Sequence, residues 1–354
     1  MRPFIIAIFA ASAALVLAAQ GPPPPAAPPR QSSDISITIN GAPGLPPKYA
    51  VPDFIALTPD PETTAAAKTI GEVLWDDLNF EREFYLIPRD TYKSIPPATS
   101  IEQVPVDQWK QLGADGLIIG TVRRTGTGVT VQVRLLDVAT GRSALAKEYT
   151  GTLKNPRLYA HTASDEIHQQ QRALRGVART KLAFTSDRDG ERMKGPVADR
   201  GISNIYMSDY DGANQLRLTI TRSLDITPAW SPDGKTIAYT SYRTGFQDII
   251  VQYIHELRDY AKPANGTSDK QNYLPAWSPD GSKLAFTTNR DGNPEIYVVN
   301  RDGSGLRRLT NHPEVDVTPT WSPTGNQIAW TSNRTGTPQP RTQNVKPKTQ
   351  TLKP

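Results

Sequence analysis

The side chains that could carry catalysis are scattered along the 354 residues and match no complete catalytic motif. His255-Glu256 lacks a second histidine at the spacing that zinc enzymes use. Gly303-Ser304-Gly305 does not have the form of a nucleophile elbow and is interpreted as a hairpin turn. The neighbouring carboxylates Asp76 and Asp77 should point to different sides of a helix. The sequence therefore predicts a protein that is not an enzyme and uses no cofactor.

Metal binding is not expected either. The chain has no cysteine, which excludes a thiolate site, a disulfide and a cysteine-linked lipid. His161 and His168 lie seven residues apart on a predicted helix, and we expect them at the surface rather than as shared ligands. Calcium remains an alternative for two aspartate pairs, but turn formation explains them better. These pairs are Asp187 with Asp189 and Asp209 with Asp211.

The net charge of +5 is concentrated in residues 341–354, which contain basic residues and no acid. Elsewhere the charges nearly balance, and no element carries a stripe of basic residues interleaved with aromatic ones. Nucleic-acid binding is therefore not expected.

The first residues have the pattern of a secretory signal peptide, predicted over residues 1–19. Arg2 precedes an apolar run from Phe4 to Ala19 that ends in small residues. A membrane anchor is the alternative, but spanning a bilayer takes about 20 apolar residues and prolines follow at once. The sequence predicts export to the periplasm.

A proline-rich linker with a candidate partner-binding segment is predicted over residues 20–48. Gly21 to Arg30 is mostly proline and alanine, as in an extended tether. The next segment alternates polar and apolar residues, as a strand does. Such a strand either adds to a sheet edge or waits for a partner. The segment is Asp34, Ile35, Ser36, Ile37, Thr38 and Ile39.

Residues 49–173 alternate between strand and helix patterns. Pro61 is placed to open a helix whose apolar face includes Ile70, Leu74 and Leu78. Val129 to Val138 alternates well enough to predict a strand. The sequence predicts an α/β domain with a mixed sheet.

Residues 180–337 contain a repeat with a period of about 44 to 55 residues. Each unit has a strand with a central alanine, then an Arg-Asp/Thr-Gly turn, and in three units a Pro-x-Trp-Ser-Pro-x-Gly segment. This pattern is typical of β-propeller blades, and about three and a third are present. The tryptophans Trp230, Trp277 and Trp321 are expected to pack between blades.

The repeat fails after Thr337, and the composition of residues 338–354 predicts a disordered tail. A closed propeller has four to eight blades. We hypothesise that the native reading frame continues and that the sequence is truncated or frame-shifted.

Taken together, both halves resemble the TolB family. That resemblance implies a non-catalytic periplasmic scaffold that binds the lipoprotein Pal through its propeller and TolA through its N-terminal segment. It also implies a role in outer-membrane integrity and cell division. The matching segments are residues 50–54, 112–115 and 134–141 of the first domain and 183–190, 229–234 and 296–303 of the propeller.

The resemblance assigns partner contacts to the loops just before Pro-x-Trp, at the mouth of the propeller. Alternatively, these residues only connect strands, and Asp34 to Ile39 is a domain-edge strand or a flexible leader. The loop residues are Asp225, Ile226 and Thr227; Asn272, Tyr273 and Leu274; and Asp316, Val317 and Thr318.

Two other functions stay open at this point. The chain could be the non-catalytic propeller of an exported peptidase, which would require a hydrolase domain. It could also be a lyase-type propeller, which would require histidines at the mouth, where only Asp225 and Asp316 are found. We expect a monomer.

Overall fold

The computed structural model describes residues 47–192, 201–256, 259–261, 263–267 and 269–345. The predicted signal peptide, the proline-rich linker and Asp34 to Ile39 lie outside these residues. The described part forms an α/β domain followed by four small β-sheets, which confirms the predicted fold class. Among its helices, none has the length and apolar character needed to cross a bilayer.

The α/β domain is built on a mixed sheet. Its first three strands run parallel to their neighbours, and its last three form antiparallel pairs. The order is β3-β1-β4-β5-β6, with β2 also paired to β4. The strands are β1 (Lys48–Ala50), β2 (Ile55–Ala56), β3 (Tyr85–Leu86), β4 (Gly116–Thr125), β5 (Gly128–Asp137) and β6 (Ser143–Gly151).

Helices cover both faces of this sheet. On one face, α1 (Pro61–Glu81) and α3 (Arg157–Arg172) bury residues such as Leu74 and Ile167 against the alternating valines of β5. On the other face, α2 (Val106–Gln111) and two 3₁₀ turns at Arg89–Ser94 and Ile101–Gln103 form a smaller core.

The start of α1 shows why the helix begins where the sequence predicts. The Asp60 carboxylate accepts hydrogen bonds from the backbone N–H and the hydroxyl of Thr63, at 2.8 and 2.7 Å. Pro61 then occupies the first turn, where no donor is needed. This cap fixes the helix that carries Asp77 to the propeller.

The four sheets that follow are consecutive propeller blades. Blade 1 contains β7 (Lys181–Ser186), β8 (Asn204–Asp209) and β9 (Leu216–Arg217). Blade 2 contains β10 (Asp225–Trp230), β11 (Thr236–Ser241), β12 (Asp248–Tyr253) and β13 (Asp259–Ala261). Blade 3 contains β14 (Asn272–Trp277), β15 (Lys283–Thr288), β16 (Glu295–Asn300) and β17 (Arg307–Arg308). Blade 4 contains β18 (Asp316–Trp321), β19 (Gln327–Ser332) and β20 (Gln339–Asn344).

Blades 2, 3 and 4 share one register. The strands β10, β14 and β18, here called the inner strands, pair antiparallel with β11, β15 and β19 in equivalent positions. Ala229 lies opposite Ala238, and Ala276 lies opposite Ala285. Because the side chains at these positions are small, neighbouring blades pack closely, and one apolar cluster spans blades 2 and 3.

The expectation of disorder from residue 338 is wrong for residues 339–344. These residues form β20, which pairs along its whole length with β19. All six side chains of β20 are exposed, so composition alone gave no strand signal. The backbone of β19 supplies the pairing groups instead, and Val345 adds a buried apolar contact.

The prediction of surface histidines is also wrong. His161 and His168 are both buried, because α3 packs its polar residues against α1. His168 Nδ1 lies 3.0 Å from Glu81 Oε2, and burial raises the pKa of Glu81. His161 Nδ1 lies 2.8 Å from Asp77 Oδ2.

The Asp77–His161 pair belongs to a contact between the α/β domain and blade 1. The Tyr210 hydroxyl, in the β8–β9 hairpin, donates to Asp77 Oδ1 at 2.7 Å. On the blade side, His161 Nε2 lies 3.6 Å from the buried carboxylate of Asp209, which also pairs with Lys181. Burial, and next the bond to Asp77, raise the pKa of Tyr210, so its phenol stays a donor. We call Asp77, His161, Lys181, Asp209 and Tyr210 the interdomain network.

We predict that Tyr210→Phe lowers the free energy of unfolding by about 1.5–3 kcal/mol, because a buried carboxylate loses a hydrogen bond. The measurement is a urea unfolding curve. Tyr85→Phe serves as the matched control, since Tyr85 is 55% exposed, and should change stability by less than about 0.5 kcal/mol. Equal effects of the two substitutions would contradict the role given to Tyr210.

Candidate partner-binding face

The three segments that the sequence predicted as loops lie at equivalent places but within strands, as the first three residues of the inner strands β10, β14 and β18. We call the three triplets, residues 225–227, 272–274 and 316–318, the mouth loops. In each triplet the third residue has a positive φ: 51° for Thr227, 57° for Leu274 and 55° for Thr318. Left-handed backbone costs a non-glycine residue about 1–2 kcal/mol, so a compensating contact is required. Each of these residues lies within a register shift between the inner strand and its neighbour.

In blades 3 and 4 that contact comes from the preceding blade, whereas Thr227 Oγ1 bonds to Thr240 Oγ1 within its own blade at 2.7 Å. The backbone N–H of Leu274 donates to Thr240 Oγ1 at 3.1 Å, and that of Thr318 donates to Thr287 Oγ1 at 3.3 Å. The bulge therefore turns a backbone donor away from its own sheet and toward the neighbouring one. As a result, the mouth loops are held in a fixed conformation before any partner arrives.

The first residue of each mouth loop is buried and bonded within the propeller. Asp225 accepts from the Ser241 hydroxyl at 2.5 Å, and Asn272 accepts from the Arg290 guanidinium at 2.9 Å. Asp316 pairs with Arg334. These three side chains have no exposed surface, so they position the loops and do not contact a partner directly. Sequence alone did not separate them from their neighbours.

The second and third residues of the mouth loops are at least partly exposed. Ile226 in blade 2 and Val317 in blade 4 present aliphatic side chains. Tyr273, in blade 3, presents a half-buried phenol. Burial raises the pKa of Tyr273, which keeps its hydroxyl protonated at neutral pH. An aromatic residue flanked by aliphatic ones is typical of the anchor region of a protein interface.

The mouth loops lie at the opposite end of the blades from the α/β domain. In blade 1, Lys181 at the start of β7 pairs with Asp209 at the end of β8. Both residues belong to the interdomain network, so this end of the blade faces the α/β domain. The other end of the same pair, Ser186 with Asn204, corresponds to Ser241 with Asp248 in blade 2, next to Asp225. The α/β domain therefore leaves the mouth face open.

One cluster in the described part of the chain has the composition of a metal site. Asp77, His161 and Asp211 each offer a ligand atom within 4.8 Å of the others. However, Asp77 already bonds to Tyr210 and His161, and Asp211 pairs with Arg157. These contacts satisfy the carboxylates without an ion.

Two more of the aspartates considered for calcium, Asp189 and Asp209, are engaged within the protein. Asp189 Oδ2 accepts from the Tyr206 hydroxyl at 2.6 Å and lies 2.9 Å from Arg217 Nη1. Asp209 accepts from Asn214 at 2.6 Å and pairs with Lys181. Burial alone would raise the pKa of Asp209, but these hydrogen bonds outweigh it and lower the pKa.

The interdomain network was missed at the sequence level. Its signal was Asp77, which lies three residues after Leu74 and four after Val73 on the apolar face of α1. A carboxylate on an apolar helix face requires a buried partner. The pattern could not indicate that this partner is a tyrosine more than a hundred residues away.

Comparison with known families matches both domains. The family model described as the TolB beta propeller domain covers residues 170–349, about half of the chain. The model described as the TolB amino-terminal domain covers residues 35–144. The chain belongs to the TolB family.

Curated relatives in the TolB family carry the name Tol-Pal system protein TolB. The relative from Desulfosudis oleivorans is 35% identical over 263 residues, which are 74% of this chain and 57% of the relative. The relative from Haemophilus influenzae is 33% identical over 197 residues, 54% of this chain and 44% of the relative. The chain thus spans about half the length of the curated relatives it matches.

A solved TolB structure supports the same architecture. The crystal structure of TolB from Acinetobacter baumannii superposes with a TM-score of 0.65 at 25% identity. The match covers 87% of this chain and 71% of that one. In this TolB-family chain, the α/β domain and the blades are therefore arranged as in a known relative.

Proposed function

We propose that the chain is a periplasmic, protein-binding scaffold of the Tol-Pal envelope system. It binds a Pal-like lipoprotein through the mouth loops and a TolA-like inner-membrane protein through Asp34 to Ile39. In this role it contributes to outer-membrane integrity and cell division. The scaffold acts by binding and catalyses no reaction. The names of the curated relatives support membership of the system.

One observation carries the proposal for Pal. The mouth face has partly exposed Ile226, Tyr273 and Val317 on a rigid backbone, and the α/β domain docks at the other end. Rigid loops lose little conformational entropy on binding, which favours affinity. The face can therefore receive a folded domain without rearranging the rest of the chain.

The surface also favours a protein over a small molecule. The buried Asp225, Asn272 and Asp316 hold the loops from below. Only apolar and hydroxyl-bearing side chains remain exposed in the mouth loops. A surface of this kind can bury area against a partner, but it offers no converging charges for a substrate.

We predict that Tyr273→Ser weakens binding of the soluble domain of the organism's Pal-like lipoprotein by at least about fivefold, because truncating an aromatic anchor typically costs more than 1 kcal/mol. Isothermal titration calorimetry measures the change. Leu306→Ser is the matched control, since Leu306 is 42% exposed in the β16–β17 hairpin at the opposite end. Binding that is insensitive to Tyr273, or equally sensitive to Leu306, would count against the mouth face.

The proposal for a TolA-like partner rests on the alternating segment Asp34 to Ile39, whose residues lie outside the described part of the chain. An alternating segment that adds to a partner's sheet edge would bury one face and expose the other.

We predict that the double substitution Ile35→Asp and Ile37→Asp abolishes binding of the soluble C-terminal domain of the TolA-like protein. The matched control, Ser36→Asp with Thr38→Asp, adds the same charge on the other face and should retain binding. Pull-down with purified domains distinguishes the two. Loss in both variants would point to charge and not to strand pairing, and loss in neither would exclude the segment.

A further inference from the structure

A cavity of about 600 Å³ opens at one edge of the α/β domain. Its lining residues all lie between Pro52 and Ile119, within the continuously described residues 47–192. Thr64, near the start of α1, lines the cavity, whereas Asp77 of the interdomain network lies near the end of that helix. Because a helix rises about 1.5 Å per residue, these two residues are about 20 Å apart along its axis. The cavity is therefore separate from the contact with blade 1.

The cavity lies where the sheet ends and the packing on its two faces meets. Among the described residues, the short strand β2 pairs only with β4. Phe54 lines the cavity from the core beneath α1 and α3, and Trp109 lines it from the core beneath α2. These two side chains and Ile119 are buried, while Ile95 and Val104 are half-buried. The interior of the cavity is therefore mainly apolar.

The Tyr92 side chain, which also lines the cavity, is fixed in place. Its hydroxyl donates to the Ile87 carbonyl at 2.8 Å and accepts from the Val51 N–H at 3.0 Å. Its ring packs edge-on against that of Trp109, with the ring centroids 5.0 Å apart. Side chains held in this way do not turn inward to fill the space. A preformed apolar cavity of this volume is typical of small-molecule sites, which measure about 300–1,000 Å³.

The rim of the cavity is positively charged. Lys68, Arg89 and Lys93 line it, and Asp53 is the one acid among its lining residues. Asp53 pairs with Arg89, and Lys68 lies 3.8 Å from Glu72. Lys93 is exposed and forms no ion pair with any residue that the structure describes. A cation beside an apolar cavity is complementary to a ligand that carries a single anionic group.

The backbone at the opening favours a small molecule over a polypeptide. Pro96 and Pro97 line this part of the cavity and are exposed. Because proline has no N–H, this side of the opening cannot form the hydrogen-bond ladder that an added strand needs. A small molecule that fills the cavity and reaches Lys93 needs no such ladder.

We infer that this cavity binds a small amphiphile with an apolar body and one carboxylate. The apolar body lies against Phe54, Ile95 and Trp109, and the carboxylate lies beside Lys93. The inference is independent of the proposed function, since it concerns another domain and another class of ligand.

The probe is octanoate, titrated into the whole chain by isothermal calorimetry. We expect saturable binding at one site and a melting temperature that rises with octanoate concentration. Octanol has the same alkyl chain without the charge and should bind about twofold to fivefold more weakly, as expected for the loss of one exposed ion pair. Octylammonium carries the opposite charge and should bind at least about fivefold more weakly than octanoate, because it places a cation beside Lys93.

Three protein variants locate the binding site. Lys93→Gln removes the charge and should weaken octanoate binding by about twofold to fivefold without changing the affinity for octanol. Lys110→Gln is the matched control, since Lys110 is an exposed lysine of α2 that does not line the cavity, and it should change neither affinity. Ala98→Trp places a large side chain on the cavity lining and should abolish binding of both molecules. The melting temperature of each variant without ligand shows whether it is folded.

Four results would overturn the inference. The first is no saturable binding of octanoate, or equal affinity for octanoate, octanol and octylammonium, which would indicate non-specific adsorption. The second is unchanged octanoate binding by folded Ala98→Trp, which would place the ligand elsewhere. The third is an equal effect of Lys93→Gln and Lys110→Gln on octanoate binding. The fourth is hydrogen exchange at residues 92–99 that a Pal-like or TolA-like domain slows and octanoate does not, which would assign the cavity to a partner protein.

Discussion

The propeller depends on polar bonds that cross from one blade to the next. In blades 3 and 4, the inner strand sends a tryptophan N–H to a carbonyl of the preceding blade, and a bulged backbone N–H to a threonine hydroxyl of that blade. A single small sheet would leave its apolar faces exposed to water, so each blade is stable only when it packs against its neighbours. These crossing bonds fix the distance and register at which the apolar faces meet. The left-handed residues of the mouth loops are a consequence of the same bonds.

The interdomain network determines how the α/β domain contacts blade 1. It joins α1, α3 and the β8–β9 hairpin through a half-buried tyrosine, a buried histidine and two buried aspartates. Since buried charges are costly unless paired, this contact is specific in geometry and disfavours other ways of docking the domain. It keeps the α/β domain at the end of blade 1 that is opposite the mouth loops. The mouth loops and the interdomain network therefore lie on separate surfaces, as the proposed scaffold function requires.

Much of this could be predicted from the sequence because the signals are local and repeated. The α/β domain follows from alternating strand patterns and from the cap formed by Asp60 and Pro61. The blades follow from the repeat, and the tryptophans do pack between blades as expected. The positions of the mouth loops also followed from the repeat, although the burial of Asp225, Asn272 and Asp316 did not. Each of these is polar, and only the fold shows which residues bond to it.

The parts that were not predicted depend on contacts distant in sequence. His161 is a polar residue on a helix whose neighbours gave no sign that Tyr210 and Asp209 would cover it. Residues 339–344 carry no apolar signal, yet they form a strand because β19 offers a backbone to pair with. In both cases the deciding interaction is made by another element.

The central claim is that partner binding occurs at the mouth loops, away from the interdomain network. Hydrogen exchange of the whole chain, with and without the soluble Pal-like domain, tests it most directly. The account predicts slower exchange at residues 226–227, 273–274 and 317–318 on binding, with no change at residues 209–214. Protection at residues 209–214 with none at the mouth loops would contradict it.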